Sequence, residues 1–188
     1  MNVYKSSFLI IGKGVTYKHC KKFFDENSIT YKSVETGDAI EIKNMKLITT
    51  PECQNKTKQK EINLETIDYV LVSPGVSKEQ GLIKKLIELN FKIITDIDIL
   101  QNIISSKFIC ITGTNGKTST VTLLAEILNA NNKKAIACGN NGVSVFDALQ
   151  EPYDYIVLEI SSYQLEYIEN LKSEISVILN ISSDHLDR

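Results

Sequence analysis

The sequence has few of the residues that build zinc sites or disulfide frameworks. This chain of 188 residues contains four cysteines and two histidines. No two cysteines form a CxxC pair, and His19 and His185 stand far apart in the sequence. A zinc-ligand cluster is therefore excluded, and reduced structural thiols are expected instead. The cysteines are Cys20, Cys53, Cys110 and Cys138, of which Cys110 is predicted to be buried in a strand.

The chain also lacks a charge excess of one sign and any long apolar run. Its 21 basic and 23 acidic side chains are interspersed and give a net charge of -2, so no basic face for nucleic acid is predicted. The apolar run at residues 8–11 ends at Gly12 and is too short for the core of a signal peptide. No later run approaches the roughly 20 residues of a membrane span. We therefore expect a soluble, cytoplasmic protein that binds neither nucleic acid nor membrane.

What the chain does contain is an alternation of short apolar runs with helical patterns, which predicts parallel sheets of the α/β class. A first series has predicted strands at residues 8–11, 31–35, 46–49, 69–72 and 92–95, and helices at 16–27 and 78–90. A second has strands at 108–111, 135–138, 155–159 and 176–180, and a helix at 119–129. Between the two series, residues 96–104 are predicted to form a short linking helix. The boundary is expected at residues 105–107, and the polar run 51–60 is expected to be a loop.

The most informative segment is T-G-T-N-G-K-T at residues 112–118, which follows a predicted strand and opens a predicted helix. In such a loop the backbone N–H groups and the helix N-terminus face phosphate oxygens. Lys117 is placed to reach the outer phosphates, and the Thr118 hydroxyl is placed to bind Mg²⁺. This pattern predicts a nucleoside triphosphate ligand. Ile111 stands where the standard loop has its first glycine, and a glycine turn with a chance lysine is the simpler alternative.

Polar residues follow three further strands of the second series, where ligands bind in parallel sheets. Asn140, in G-N-N-G after a strand, can present an amide to an oxyanion or belong to an ordinary turn. Glu159 ends an apolar strand and can hold Mg²⁺, unless it is a surface residue. His185 can ligate a metal or orient a phosphate, or it is a solvated loop histidine.

The first strand is followed by Gly12-Lys13-Gly14, which is half of a dinucleotide-binding fingerprint. Glu35 ends the second strand, where an acid can contact a ribose or base. Tyr17 replaces the third glycine of the fingerprint, which disfavours a redox cofactor. A site for a nucleoside diphosphate stays open, because the helix N-terminus and the Thr16 hydroxyl can still bind phosphate.

Three strings of this sequence resemble the Mur ligases of peptidoglycan synthesis: T-G-T-N-G-K-T at 112–118, L-E-I-S-S-Y-Q-L-E at 158–166 and N-I-S-S-D-H-L-D-R at 180–188. The second string is similar to the branch of the family that adds D-glutamate. In the first part of the chain, residues 12–16, 35–36 and 73–75 match the family's UDP-binding elements in order. Tyr17 and Gly37 depart from the pattern, because relatives commonly have Gly and Arg there.

The resemblance implies a Rossmann-like domain that binds the UDP substrate, residues 1–104, followed by the first part of a P-loop ATPase-type central domain, residues 105–188. It implies ligation of D-glutamate to UDP-N-acetylmuramoyl-L-alanine through an acyl phosphate, with ATP and Mg²⁺, by a cytoplasmic monomer. Family members continue beyond this D-H-x-D-R string with a carbamylated lysine and a third domain. The chain alone is therefore expected to be incomplete and inactive.

The same resemblance implies roles for individual residues. The ATP-binding loop is implied to comprise Gly113, Thr114, Asn115, Gly116, Lys117, Thr118 and Ser119. Mg²⁺ is implied to be held by Thr118, Glu159 and His185, and the catalytic residues are implied to be Lys117, Glu159 and His185. The UDP substrate is implied to contact Gly14, Val15, Thr16, Glu35, Thr36, Gly75, Asn140, Ser161 and Gln164.

Two other classes of function remain open at this point. The first is a module that binds a UDP ligand without turning it over. The second is another phosphate-loop enzyme such as a GTPase or kinase, although no N-K-x-D and no D-x-x-G is suitably placed after the loop.

Overall fold

The structure, a computed structural model, describes residues 1–36, 39–50 and 60–183. It has the predicted α/β class and divides into two compact units, Met1–Thr95 and Asp96–Arg188. The short helix expected to link the domains therefore belongs to the second unit, where it packs against a 3₁₀ helix, Val145–Leu149. The domain limits inferred from the sequence, 1–104 and 105–188, remain a prediction.

The first unit is built on a parallel sheet of four strands, β1 (Ser7–Ile11), β2 (Thr30–Val34), β6 (Tyr69–Val72) and β7 (Lys92–Ile94). Their order in the sheet is β2-β1-β6-β7. The α-helices of this unit are α1 (Val15–Glu26) and α2 (Gly81–Glu88). Central β1 is buried from Phe8 to Ile11, which explains its continuous apolar run. Phe24 of α1 packs on Phe8 with ring centroids 4.8 Å apart.

A second sheet in this unit is antiparallel, so the expectation that residues 46–49 join a parallel system is wrong. Its strands are β3 (Ala39–Lys43), β4 (Lys46–Thr50) and β5 (Lys60–Asn63). Asn44 and Met45 have positive φ angles of 47° and 57°, which closes a tight hairpin. Apolar and polar residues alternate along these strands, so one face of the sheet is buried, and this face includes Ile42, Leu47 and Ile62. Lys60 was expected in the 51–60 loop but begins β5, and residues 51–59 lie outside the described residues.

The second unit contains a parallel sheet of the strands β8 (Lys107–Thr112), β9 (Ala135–Gly139), β10 (Tyr155–Glu159) and β11 (Ile175–Ile178). Their order in the sheet is β11-β8-β10-β9. The α-helices of this unit are α3 (Asp96–Gln101), α4 (Lys117–Ala130) and α5 (Ser162–Leu165). Because β8 pairs with β10 and β11, the chain segments that follow these strands meet at one edge of the sheet. Val121 and Ala125 of α4 are buried against Ile109, Ile111 and other sheet residues.

The described cysteines are buried and carry free thiols: Cys20, Cys110 and Cys138. Burial raises the pKa of the Cys110 thiol to about 11. Burial, with the nearby Asp96 and Asp147 carboxylates, raises the pKa of Cys138 to about 12. The expected burial of Cys110 is confirmed, and Cys53 lies outside the described residues. Across residues 1–36, 39–50 and 60–183, the helices are too short or too polar to cross a membrane.

Candidate functional site

The loop between β8 and α4 has the geometry expected of a phosphate-binding loop. Gly113 and Gly116 have φ angles of 143° and 83°, which side-chain-bearing residues rarely adopt. A Cβ on Gly113 would also lie 3.2 Å from the backbone of Asn180. The helix begins at Lys117, so the first backbone N–H groups of α4 have no partners within the helix. The predicted order of strand, glycine loop and helix is confirmed.

The Lys117 side chain folds back over the loop and hydrogen-bonds two of its carbonyl groups. Its Nζ donates to the Gly113 carbonyl oxygen at 2.6 Å and to the Thr114 carbonyl oxygen at 3.0 Å. The ammonium group therefore stands over the loop opening, where a phosphate oxygen could replace these neutral acceptors. An anionic acceptor makes a stronger hydrogen bond to an ammonium group than a carbonyl does.

Glu159 is only 2 % exposed at the end of β10, which excludes the surface-residue alternative. One carboxylate oxygen, Oε2, accepts from the Thr118 hydroxyl at 2.6 Å. The other, Oε1, accepts from Nδ2 of Asn140 at 3.0 Å, and the Asn140 backbone N–H donates to the Glu159 carbonyl at 3.0 Å. The structure thus brings together three residues that the sequence singled out on three separate segments.

Gly139 allows this arrangement, although the sequence identified it only as part of a turn. A Cβ at this position would lie 2.4 Å from the Glu159 carbonyl oxygen, closer than real Cβ contacts. Its φ angle of 110° is a second reason for glycine. The end of β9 can therefore approach β10 closely enough for Asn140 to reach the Glu159 carboxylate.

The chemistry of this donor set fits Mg²⁺, which prefers oxygen ligands and keeps several waters. Thr118 and Glu159 offer a hydroxyl and a carboxylate at the start of α4. No group of three or more His, Cys, Asp or Glu residues that could hold a metal occurs among the described residues. The described protein groups therefore leave room for water and phosphate oxygens as further ligands. His185 lies outside the described residues, so its predicted metal role stays a prediction.

A cavity of about 460 Å³ opens beside the phosphate loop. Its lining includes Gly113, Thr114, Lys117, Asn140 and Ser161, which come from the ends of three strands. Its other lining residues are Thr112, Ser162, Tyr163, Leu165, Ile178, Asn180, Ile181 and Ser182. Backbone, hydroxyl, amide and ammonium groups therefore converge on one concave surface, as in most small-molecule sites.

Ser161 and Gln164, both predicted to contact substrate, are joined by a capping box at the start of α5. The Ser161 backbone N–H donates to Oε1 of Gln164 at 2.9 Å, and the Gln164 N–H donates to the Ser161 hydroxyl at 3.2 Å. Ser161 lines the cavity, whereas Gln164 is 4 % exposed. The geometry shows Gln164 orienting Ser161, and its substrate contact stays a prediction.

The first unit gathers a second set of predicted residues at the carboxyl edge of its parallel sheet. α1 starts at Val15 after the loop Gly12-Lys13-Gly14, so Gly14, Val15 and Thr16 form its N-terminus. Gly12 has a φ angle of 94°, and a Cβ there would lie 3.0 Å from Ser73. Glu35 follows β2, and Thr36 and Gly75 are exposed at the same edge.

Two residues at this edge lie in strings that match the family's UDP-binding elements, but the sequence assigned them no contact of their own. Nζ of Lys13 forms an ion pair with Oε1 of Glu35, and both side chains are partly exposed. Ser73 is buried, and its hydroxyl has no hydrogen-bond partner among the described residues. The signals available were a lysine between the two loop glycines and the string S-P-G directly after a buried strand. Of the two departures from the family pattern, Tyr17 and Gly37, the second lies outside the described residues.

Several known proteins are similar to this chain. The profile of a family described as Mur ligase middle domain matches residues 111–188. The chain is 35% identical over 187 residues to UDP-N-acetylmuramoylalanine--D-glutamate ligase of Buchnera aphidicola subsp. Acyrthosiphon pisum (strain Tuc7), which covers 100% of this chain and 42% of the relative. It is 40% identical over 130 residues to the ligase of the same name from Trichlorobacter lovleyi, covering 68% of this chain and 29% of the relative. The chain thus spans less than half the length of these relatives.

A solved structure shares the fold. It is the UDP-N-acetylmuramate:L-alanyl-gamma-D-glutamyl-meso-diaminopimelate ligase from Neisseria meningitides, with a TM-score of 0.50 and 15% sequence identity. The match covers 97% of this chain and 62% of that chain. At this identity the likeness concerns the fold alone.

Proposed function

This chain belongs to the Mur ligase family, and from that premise we propose that it serves the ATP-dependent ligation of D-glutamate to UDP-N-acetylmuramoyl-L-alanine. The reaction makes a precursor of peptidoglycan. We further propose that the first domain, residues 1–104, binds the UDP part of the substrate and that residues 105–188 bind ATP. The protein is proposed to act as a monomer in the cytoplasm.

The observation that carries this proposal is the contact of Thr118, Glu159 and Asn140 beside the phosphate loop. A buried carboxylate beside an uncapped helix N-terminus suits a bound cation together with phosphate. The D-glutamate specificity rests on the names of the relatives and on the string around Glu159.

The proposed chemistry has two steps. A carboxylate oxygen of the substrate attacks the γ-phosphorus of ATP, and ADP leaves. The unprotonated amine nitrogen of D-glutamate then attacks the acyl carbon, the bond to phosphate breaks, and the proton lost by the nitrogen leaves with the phosphate or to water as the amide forms. Bound Mg²⁺ would neutralise phosphate charge during the first step.

The residues of the loop have separate tasks in this scheme. Lys117 exchanges its bonds to the loop carbonyls for phosphate oxygens and lowers the repulsion between two anionic reactants. Thr118 and Glu159 would hold the metal, while Asn140 keeps the Glu159 carboxylate oriented. His185 is proposed as a further metal ligand. Ser161, oriented by Gln164, contributes a polar group to the substrate side of the cavity.

At the sheet edge of the first unit, the N-terminus of α1 is proposed to bind the diphosphate. Its backbone N–H groups at Val15 and Thr16 have no partners within the helix. The Thr16 hydroxyl and the exposed Gly75 can approach the same ligand. Glu35 and Thr36 are proposed to contact the uridine.

Binding by this chain is the first experiment. Calorimetry with UDP-N-acetylmuramoyl-L-alanine and, separately, with ATP and Mg²⁺ measures the two proposed sites independently. Both ligands are expected to bind. A folded chain that binds neither would contradict the proposal, and ATP binding without UDP binding would favour another phosphate-loop enzyme.

Ligation requires a second experiment, made on a protein that carries this sequence at the length of the curated relatives. Phosphate release is measured with ATP, Mg²⁺ and the UDP substrate while D-glutamate, L-glutamate, L-lysine and meso-diaminopimelate are compared as acceptors. Release is expected with D-glutamate. Substrate binding without release for any acceptor would favour the binding-only alternative.

A further inference from the structure

The side-chain amide of Asn180 bonds both backbone groups of one residue in the phosphate loop. Nδ2 of Asn180 donates to the Asn115 carbonyl oxygen at 2.9 Å. The Asn115 N–H donates to Oδ1 of Asn180, also at 2.9 Å. A planar amide that both donates to and accepts from a single residue sets the orientation of that residue's backbone. We refer to this pair of bonds as the Asn180 clamp.

Neighbouring bonds extend the contact on both sides of the clamp. The Leu179 N–H donates to the Thr112 carbonyl at 3.0 Å, and the Thr114 N–H donates to the Asn180 carbonyl at 3.3 Å. The Thr114 hydroxyl accepts from the Ser182 N–H at 3.0 Å and contacts the Ser182 carbonyl at 3.2 Å. The segment that follows β11 therefore continues to pair with the phosphate loop beyond the end of the strand.

These bonds divide the donors of the loop into two groups. The N–H groups of Thr114 and Asn115 point to Asn180 and hold the shape of the loop. The N–H groups of residues 117–119 at the start of α4 precede the first helical bond, from the Thr120 N–H to the Gly116 carbonyl, and remain for phosphate. The N–H groups bonded to Asn180 thus maintain the conformation of the loop, and the N–H groups at the start of α4 are the ones available to bind phosphate.

We propose that Asn180 is a positioning residue for the nucleoside triphosphate, because it holds the Asn115 backbone in the conformation that directs the α4 donors at the phosphates. This inference rests on the ATP site of the proposed function. Without the clamp, Asn115 and its neighbours gain conformational freedom that ATP binding must then remove. The nucleotide would bind more weakly for that reason.

The same unit contains a matched clamp that distinguishes positioning from stability. At the other end of α4, Nδ2 of Asn129 donates to the Ala135 carbonyl at 2.9 Å, and the Ala135 N–H donates to Oδ1 of Asn129 at 3.0 Å. Both clamps join one amide to the two backbone groups of one residue. Only the Asn180 clamp lies at the phosphate loop, so the two should contribute similarly to stability and differently to nucleotide binding.

The test compares Asn180→Ala with Asn129→Ala in this chain. Thermal unfolding is recorded without nucleotide, and ATP is titrated in the presence of Mg²⁺ by calorimetry. Both variants are expected to melt earlier by similar amounts. The ATP affinity is expected to fall about tenfold in Asn180→Ala and less than about twofold in Asn129→Ala.

Other outcomes would overturn the proposal. Wild-type ATP affinity in Asn180→Ala contradicts it, and so does an equal loss in both variants, which would reflect stability alone. If Asn180→Ala does not fold, Asn180→Ser replaces it, because serine is neutral and polar but too short to bond both groups. Wild-type affinity in the serine variant then overturns the proposal. Failure of the unaltered chain to bind ATP would instead contradict the ATP site itself.

Discussion

The two units contain the same element, a parallel strand followed by a glycine loop and a helix, but they bury different polar groups. Among the described residues, the buried polar side chains of the first unit are the hydroxyls of Thr49, Ser73 and Thr95. The second unit buries two carboxylates, those of Asp96 and Glu159. Burying a carboxylate is unfavourable unless hydrogen bonds or a cation compensate. The second unit therefore pays a free-energy cost for burying charge, whereas the buried polar groups described in the first unit are neutral.

The charges beside the two loops differ in the same way. In the first unit Lys13 and Glu35 pair at the surface, where such a pair contributes little to stability because water screens it. In the second unit Glu159 is buried and receives hydrogen bonds from Thr118 and Asn140. This difference is the one expected if the proposed binding surface lies in the first unit and the proposed reaction centre in the second. Four substitutions test this difference between the units, and the one with the largest expected effect comes first.

The largest expected effect comes from Lys117→Ala. ATP-dependent ligation should fall about a thousandfold, because the substitution removes the cation expected to stabilise the transferring phosphoryl group. Unfolding should barely change, since within the described part of the chain the Lys117 ammonium group bonds carbonyls of its own loop alone. Lys22→Ala, an exposed lysine on α1, is the control and should retain activity. Substantial residual activity in Lys117→Ala would contradict the phosphate-loop assignment.

Glu159→Gln should have the next largest effect, a loss of about a hundredfold in Mg²⁺-dependent activity. The side chain keeps its shape but loses the negative charge expected to hold the ion. The melting temperature should stay close to that of the wild type, because a buried charge is removed together with part of its hydrogen bonding. Activity is titrated with Mg²⁺, and an unchanged dependence on the ion would refute the metal role.

Asp96→Asn tests the other buried carboxylate. Burial raises the pKa of Asp96 from its ordinary value of 3.8 to about 6, so the folded state holds the proton more tightly than the unfolded state. Its stabilising contribution is therefore complete below pH about 4 and is lost as the pH rises through about 6. The variant should be more stable than the wild type above pH 6 by roughly 2 to 3 kcal/mol, and should differ little below pH 4.

Chemical unfolding of both proteins at pH 4 and pH 7.5 measures this difference. Asparagine can still accept the hydrogen bond that Asp96 receives from the Ile97 N–H at 3.0 Å. The comparison thus isolates the charge. A stability difference that does not change with pH would show that the pKa of this carboxyl group is the same in the folded and unfolded states.

The smallest expected effect belongs to Lys13→Met. Because the Lys13–Glu35 pair is partly exposed, its loss should weaken UDP binding by about fivefold or less, and less still at high salt. Calorimetry with UDP at two salt concentrations measures this change. A loss of UDP affinity as large as the fall in ligation expected for Lys117→Ala would show that the first unit also depends on a central cation, which would remove the contrast between the units.

Much of the candidate site could be predicted from the sequence because its residues end strands or follow them closely. Glu159 ends an apolar strand, Asn140 directly follows one, and Lys117 follows the glycine loop after another. Parallel strands bring those ends to one edge. The α/β class followed from the same alternation. The antiparallel sheet was missed because β5, K-E-I-N, has a single apolar residue and because the alternation A-I-E-I-K of β3 is short.

The sequence by itself determined the phosphate loop, the alternation of strands and helices and the family, because these depend on local spacing and on strings of neighbouring residues. Only the tertiary structure decided that Glu159 is buried, that Gly139 admits Asn140 and that Asn180 holds Asn115. Those contacts join residues far apart in the chain. Their geometry depends on strand order and on the close approach of backbones, which no local pattern encodes.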